Sequence, residues 1–495
     1  MLSITKKEEL RGKVCRMLSN VGMKVDCEEM EKILLGKGCS EATNNRIKIP
    51  EELIKEFSTS QGKKLDKEGE KEFLEMTLEF GAAYTKFLLW SGRKDVVKKK
   101  LESEFITNIF DDGPTKFYDY TKHKEIPVNT EILTNMMKLA HAIPDVGYVP
   151  AWYRQDVPQE TERISSLIEA LKLTDKVGGV ESISIGQVKY LIEIGDIMGE
   201  NPKGCPYLHG SQCMTSPLML EARSADEMIE RKNRGVGRYY VASMITLGVS
   251  TPVSLSDSII LGAAEILGGM IAAYCLDPEA EITGRMITSV LDMKTANATM
   301  CRPEGAIVNA GVRELFDDFF GSQIRTTPDY MTTAKVPGLQ AVYENFFSGS
   351  AFTKVMNLNE AFYPGVGVLN IAGAGSPTQA IMDIEIKRSQ YFLRKQCGMN
   401  DSSMDFEEFC EGISNGKEFL NSDYTLTHFR EIWSPSIFIS GNAESGDEKS
   451  ILDRCDEIWR ESIKNYKPRE LTEEKRKALD DLLVRANKEL LRKEG

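Results

Sequence analysis

The sequence predicts an α/β protein built on a TIM-type (β/α)8 barrel, with a helical segment before the barrel and a helical extension after it. Three observations lead there. From about residue 131, short apolar, β-branched or aromatic runs alternate with longer stretches of helical period, the signature of parallel strands joined by crossover helices. Seven such units can be counted, and no G-x-G-x-x-G follows a first strand, which favours a barrel over an open doubly wound sheet. The chain has 495 residues, enough for one large barrel with flanking helices.

Taken in order, residues 1–104 form the N-terminal segment. An amphipathic run passes through Leu18 and stops at Gly22, a helix covers Glu28 to Leu35, and Ile47-Lys48-Ile49-Pro50 leads into another helix with Pro50 at its start. Residues 59–104 are rich in Lys and Glu and read as a helical insertion on the surface. The barrel spans 105–440. Its strands are expected near Val146–Trp152, Lys176–Val180, Tyr207–Cys213, Tyr239–Ile245, Glu281–Ile287, Gln323–Thr327 and Val366–Ile371, with an eighth from Phe105–Tyr120. The apolar run from Ile259 to Leu276 is interrupted by Glu265 and rich in Gly and Ala, so it reads as a buried helix and not a bilayer span. Residues 441–495 hold two charged helices, Glu448–Glu461 and Glu473–Arg492, with Pro468 between them. The stripe Leu479, Leu482, Leu483 and Ala486 should dock on the barrel or on another subunit.

Composition excludes several classes. With 62 basic and 75 acidic residues the net charge is −13, and no stretch concentrates Lys and Arg, so nucleic acid is not an expected partner. Met1-Leu2-Ser3-Ile4-Thr5-Lys6-Lys7 lacks an apolar signal core, which places the expected protein in the cytoplasm, away from the membrane. The ten cysteines contain no CxxC pair, as in a reducing compartment. Cys205, His209 and Cys213 share parity on one strand, but such a strand advances about 3.3 Å per residue and spreads them too far for one ion. No tightly bound metal is expected.

Several segments resemble, in the same order, the trimethylamine methyltransferase (MttB) family, and together they span nearly the whole chain. Leu18-Ser19-Asn20-Val21-Gly22-Met23-Lys24-Val25-Asp26 and Ile49-Pro50-Glu51-Glu52-Leu53-Ile54 resemble the family's V-G-x-x-V-D turn and I-P-x-x-L-V motif, and Gln155-Asp156-Val157-Pro158 its Q-D-V-P. Ser250-Thr251-Pro252-Val253-Ser254-Leu255 and Ala263-Ala264-Glu265-Ile266-Leu267-Gly268-Gly269 are similar to A-T-A-P-V-T-L and A-N-A-E-V-L-A-G, the second without its Asn. Leu291-Asp292-Met293-Lys294-Thr295, Ala334-Lys335-Val336-Pro337-Gly338-Leu339-Gln340-Ala341 and Leu426-Thr427-His428-Phe429-Arg430-Glu431 resemble M-D-M-R-T, A-K-x-P-D-A-Q-A and L-E-H-F-R-E. Three departures stand out, the first a longer segment between residues 59 and 104. Gly338-Leu339 replaces the usual Asp-Ala, and Met331 stands where trimethylamine-using relatives carry pyrrolysine.

The resemblance implies a methyltransferase that passes a methyl group to cobalt(I) of a corrinoid (cobalamin) carried by a separate, cognate corrinoid protein, within methanogenesis or acetogenesis. It points to the pyrrolysine-free branch, whose donors are quaternary amines such as glycine betaine, carnitine or choline-like compounds. A homo-oligomer is expected. Two alternatives stay open: the same corrinoid route acting on a methoxy or methylthio compound, and a barrel that binds quaternary amines without chemistry.

In a barrel the pocket lies at the carboxyl ends of the strands, which yields Trp152, Tyr153, Glu181, His209, Gln212, Arg285, Tyr330 and Met331 as substrate-binding candidates. A quaternary nitrogen leaves as a neutral amine, so no general acid and no catalytic side chain is expected. The corrinoid carries the difficult step while the protein orients and excludes water. Trp152, Tyr153 and Tyr330 are cage candidates for a trimethylammonium group. Arg285 would fork onto a carboxylate, and Glu181 or Asp292 would balance charge. Against each stands a plainer role: core packing for the aromatics, an ion pair for Arg285, an interior hydrogen bond for His209, a helix cap for Asp257, and space filling for Met331.

Overall fold

The computed structural model describes residues 2–64, 105–110, 113–199, 206–322, 324–325, 331–357, 363–396, 403–441 and 447–491. Most of the expected surface insertion, Cys205 and Tyr330 lie outside the described residues.

The N-terminal segment contains α1 (Ile4–Arg16), β1 (Met23–Val25), α2 (Glu28–Gly36), β2 (Ser40–Ala42), β3 (Arg46–Lys48) and α3 (Glu51–Lys64). Gly22 is the stop the sequence marks: its φ is 75°, and a Cβ there would sit 2.5 Å from the Ile47 carbonyl oxygen, so only glycine lets the chain turn this tightly. The three short strands are a correction to a purely helical reading. Three residues carry no usable alternation, and only pairing reveals them. Leu18, Met23, Ile47 and Phe57 enter the same core as Val241, Ile266 and Met286 further along the chain, so the segment buries its apolar stripe on the main body.

The body begins with β4 (Thr107–Asn108), β5 (Lys116–Asp119), β6 (Lys124–Pro127), α4 (Thr130–Ala142), β7 (Val146–Tyr148), α5 (Gln159–Leu173), β8 (Val180–Glu181) and α6 (Ile185–Met198). It continues through β9 (Leu208–His209), β10 (Gln212–Met214), β11 (Met219–Leu220), α7 (Ala222–Asn233), β12 (Arg238–Leu247), α8 (Leu255–Leu276), β13 (Glu281–Asp292), β14 (Asn297–Thr299) and α9 (Pro303–Leu315). After β15 (Ile324–Arg325) come α10 (Leu339–Val355), β16 (Val368–Leu369), β17 (Ala374–Gly375) and α11 (Pro377–Gln396). Most of the expected strands exist in part: Tyr207–Cys213 divides into β9 and β10, Val366–Ile371 holds only β16, which pairs antiparallel with β17, and of Gln323–Thr327 only 324–325 is described, while β12 and β13 are longer than read.

Parallel pairs run in chain order: β4 with β7, a Val149–Val177 bridge, β8 with β9, then β10, β12, β13 and β15. The Phe110 amide donates to the Val366 carbonyl at 2.9 Å, and those of Asn370 and Ile371 donate to Ala334 and Thr332 at 2.9 Å. The result is a mixed α/β body of several small sheets. No closed barrel is found among the described residues: the chain-order run of parallel pairs ends at β15, beside residues 326–330, which lie outside them, and β16, β17, β5 and β6 form a separate sheet.

The apolar run forms α8, which is long and apolar enough to cross a membrane by composition, yet 94% of its most apolar window is buried in the core. Its small residues admit β12: a Cβ on Gly269 would come within 2.7 Å of Val241. Four helices complete the chain, α12 (Phe406–Ser414), α13 (Asp423–His428), α14 (Glu448–Lys464) and α15 (Glu473–Leu490). Leu479, Leu482 and Ala486 of α15 are fully buried in the same core as α5 and α6, so the terminal stripe docks on its own chain.

Candidate functional site

The two longest strands decide which side chains face inward. On β12, Val241 lies against Gly269, Ser243 Oγ donates to Glu265 at 2.6 Å, and Ile245 approaches Gly262, all on α8. Alternation therefore turns Tyr240, Ala242, Met244 and Thr246 to the opposite, inner side. On β13, Gly284 and Met286 lie against α8, and Thr288 donates to Asn309 of α9 at 2.7 Å. Arg285, Ile287 and Ser289 thus face inward. The Thr246 and Ser289 hydroxyls meet there at 2.6 Å. Met244 is 48% exposed, so solvent reaches this inner face.

Register places Cys213, Ala242 and Arg285 in one row across β10, β12 and β13, and sets Glu181 opposite His209 in the neighbouring pair. Arg223, in the first turn of α7, lies 3.5 Å from Glu181 and donates to the Ser182 carbonyl at 3.3 Å. The Cys213 thiol is pushed up to about 11, chiefly by burial and next by the charge of Glu181, while Arg223 and Arg285 act in the other direction. Glu181, Arg285 and, by register, His209 are thus gathered on one face. Cys213 and Arg223 join them. In the sequence Cys213 presents itself only as a metal ligand on one strand with His209, a role set aside above, and the two stand on separate strands, β9 and β10. Nothing in the sequence singles out Arg223.

The remaining candidates sit elsewhere. Gln212 is a correction. Its amide donates to Glu227 of α7 at 3.0 Å and its carbonyl oxygen accepts from the Tyr240 amide at 2.8 Å, so it faces the outer helix, as its parity opposite to Cys213 requires. Trp152 is a second correction: its ring has no exposure, lies edge-on to Phe110 at 4.7 Å and closes over Gly375, so it presents no face to a ligand. Tyr153 carries the Arg163 guanidinium 3.4 Å above its ring. Arg163 also donates to the Ala151 and Trp152 carbonyls at 3.1 and 3.0 Å and pairs with Glu162 at 2.5 Å, which fixes this turn from behind.

Met331 is half-buried, and its carbonyl accepts from the Cys301 thiol at 3.6 Å. Just beyond it, Glu344 of α10 accepts from the hydroxyls of Thr332 and Thr333 at 2.6 and 2.7 Å. Asp292, the last residue of β13, accepts from the Lys294 amide of the following turn at 2.9 Å and pairs with Arg302 at 3.0 Å. Ser254, not Asp257, caps α8: the Ser254 hydroxyl accepts from the Asp257 amide. Of the zinc-type trio, Cys205 lies outside the described residues, and among those described no group of three or more His, Cys, Asp or Glu is placed to hold a metal.

Comparison with known proteins adds an independent line. A family model described as trimethylamine methyltransferase (MTTB) matches residues 100–490. A trimethylamine methyltransferase MttB of Desulfitobacterium hafniense is 23% identical over 271 residues, which cover 53% of this chain and 52% of that protein. A glycine betaine methyltransferase of another strain of the same species is 23% identical over 348 residues, 68% of this chain and 70% of its own length. A trimethylamine methyltransferase MttB of Methanosarcina barkeri is 23% identical over 427 residues, 82% and 78% of the two chains.

Proposed function

The chain belongs to the trimethylamine methyltransferase family, and from that premise we propose that it moves a methyl group from a quaternary amine to the corrinoid of a cognate protein. The observation that carries the substrate half is the inner face, where Arg285 stands in register between Ala242 and Arg325, one pleat from the exposed Met244. A guanidinium beside apolar side chains suits a carboxylated quaternary amine such as a betaine. The fork binds the carboxylate, and Met244 and Ala242 receive the methylated end. Glu181 supplies negative charge on the same face, itself paired with Arg223.

No proton need move, because the departing amine is neutral as soon as its bond to carbon breaks. The work left to this chain is orientation and exclusion of water. When bound, the reduced corrinoid supplies the nucleophile. Val249, Val253 and Met293, at the tips of the loops after β12 and β13, are all strongly exposed, and such a rim fits a flat macrocycle and its carrier. The hydrogen bonds from Phe110 to Val366 and from residues 370 and 371 to 332–334 support closure of the strand order into a barrel around this face. Oligomeric assembly and a cytoplasmic location belong to the same reading.

Met331 supports a quaternary over a tertiary amine in this reading. A tertiary amine needs a fourth bond at nitrogen before it can donate methyl, and a thioether has no electrophile to form one. The test incubates the protein with a reduced cognate-type corrinoid protein and single amines, following the spectral change that accompanies methylation of the corrinoid. A betaine-like or choline-like donor should react, and trimethylamine and dimethylamine should not. Sustained turnover of trimethylamine would sink this assignment. Reaction only with methoxy or methylthio compounds would favour the alternative donor class, and binding of quaternary amines without reaction would favour a non-catalytic barrel.

A further inference from the structure

One ion pair stands where the inner face meets solvent. On β8, Val180 joins the core shared with α5 and α6, so alternation turns Glu181 inward; on β9, Leu208 joins the same core and His209 turns inward opposite Glu181. The stem of Glu181 lies over Gly210. A Cβ at that glycine would come within 2.9 Å of the Glu181 Cγ, and its φ is 125°, so only glycine lets the turn after β9 pass this close beneath the carboxylate. Arg223 reaches Glu181 from the first turn of α7. Both side chains stay open to water, 35% exposed for Glu181 and 42% for Arg223.

The pair is loose. Arg223 Nη1 is 3.5 Å from Glu181 Oε1 and donates to the Ser182 carbonyl at 3.3 Å, where a tight charged hydrogen bond measures about 2.7 to 2.9 Å. One nitrogen makes both contacts, so the guanidinium is not set as a fork on Glu181. An exposed pair of this kind contributes little to stability and exchanges partners readily. The Cys213 thiol relates the pair to Arg285: after burial, Glu181 is the main influence that raises it, and Arg223 and Arg285 both pull it down. The carboxylate and both guanidinium groups therefore gather around one side chain of the row that holds Cys213, Ala242 and Arg285.

We propose that Arg223 is a specificity-determining residue, which withholds Glu181 from plain cations and yields it to a quaternary amine that brings its own carboxylate. The role rests on the quaternary-amine assignment above and narrows it. A quaternary ammonium has no N–H to donate, so Glu181 attracts it by charge alone, and Arg223 cancels that charge. A plain cation takes Glu181 only by sending Arg223 into water without a new anion. A carboxylated amine sets its ammonium on Glu181 and offers its carboxylate to the released guanidinium, beside Arg285, so one internal pair becomes two.

The test measures binding by isothermal titration calorimetry, without any corrinoid protein, on matched ligands: glycine betaine against choline, and trimethylammoniobutyrate against butyltrimethylammonium. The native chain should bind the carboxylated member of a pair more tightly. Arg223→Gln should bind the plain cation about two- to fivefold more tightly than the native chain does, the worth of an exposed ion pair, and the carboxylated member more weakly. Glu181→Gln should weaken both. The gain for the plain cation should vanish in the double variant, because it acts through Glu181. Each variant should keep the native far-ultraviolet circular dichroism, since both side chains are half-exposed. A side chain that only held the turn after β8 would weaken both ligands on removal and strengthen neither. Equal changes for the two ligands in Arg223→Gln, or a gain undiminished in the double variant, would overturn the inference and leave the quaternary-amine assignment standing. A native chain that binds neither member of either pair would overturn both.

Discussion

Glu265 is fully buried on α8, and its replacement separates two accounts of what a carboxyl does in that core. Its oxygens accept from the Leu218 amide at 2.9 Å, the Ser216 hydroxyl at 2.9 Å and the Ser243 hydroxyl at 2.6 Å, tying β12 and the turn before β11 to one helix. Burial raises its pKa, and the three hydrogen bonds only partly oppose that. Glu265→Gln keeps the shape and an acceptor for Leu218, while the hydroxyls can rotate to meet the new amide, so the expected cost is below about 1 kcal/mol. Glu265→Ala orphans the Leu218 N–H and leaves a void, so about 3 kcal/mol should be lost. Equilibrium urea unfolding followed by tryptophan fluorescence measures both. The pH dependence has a definite sign. A carboxyl whose folded pKa is raised binds more protons in the native than in the unfolded state between about 4.5 and its raised value, so the native protein loses stability as pH rises through that window. The glutamine variant does not. The gap between native and Glu265→Gln protein should therefore shrink from pH 5 to pH 8. A glutamine variant as damaged as the alanine variant, or a gap that widens with pH, would refute the reasoning.

Two further outcomes follow from the placement of expected site residues. Trp152→Ala should lower stability by about 3 to 5 kcal/mol, a core-cavity effect, with Trp152→Phe much milder; an unchanged unfolding midpoint with weakened substrate binding would return Trp152 to a ligand cage. Arg285→Ala should raise KM for a carboxylated quaternary amine about 10-fold or more, the loss of a charged hydrogen bond, while choline-like donors without the carboxylate change little. Equal effects on both donors would remove Arg285 from the carboxylate.

How much of the fold the sequence revealed depends on length of signal. The ten residues of β12, the twelve of β13 and the twenty-two of α8 are long apolar or alternating runs, and each was legible. β1, β2 and β3 were not, because three residues hold less than two periods of alternation and their stability comes from pairing with one another and with β11. The Glu265 motif shows a limit of a different kind. A glutamate interrupting an apolar run signals that α8 does not sit in lipid, but nothing local says that its partners are a hydroxyl on β12 and a turn nearly fifty residues upstream.

The direction of a candidate side chain was legible where parity governs and illegible where tertiary partners do. Arg285 was chosen as a strand residue near the carboxyl end, and alternation puts it inward because Gly284 and Met286 must meet α8. The same rule excludes Gln212. Cys213 and Gln212 are neighbours on one strand, so if the first shares a row with Arg285 the second must point at α7, where Glu227 receives it. The surroundings of Trp152 and Tyr153 were illegible for the opposite reason. A Trp-Tyr pair at a strand end looks the same whether its faces are free or taken, and here Gly375 lets Trp152 close into the core while Arg163 occupies the ring of Tyr153. A guanidinium already stacked on that ring repels a second cation. The other face or the edge of Tyr153 is what remains for a ligand, and the charged side chains near the inner row are Arg285 within it and the Glu181–Arg223 pair beside it.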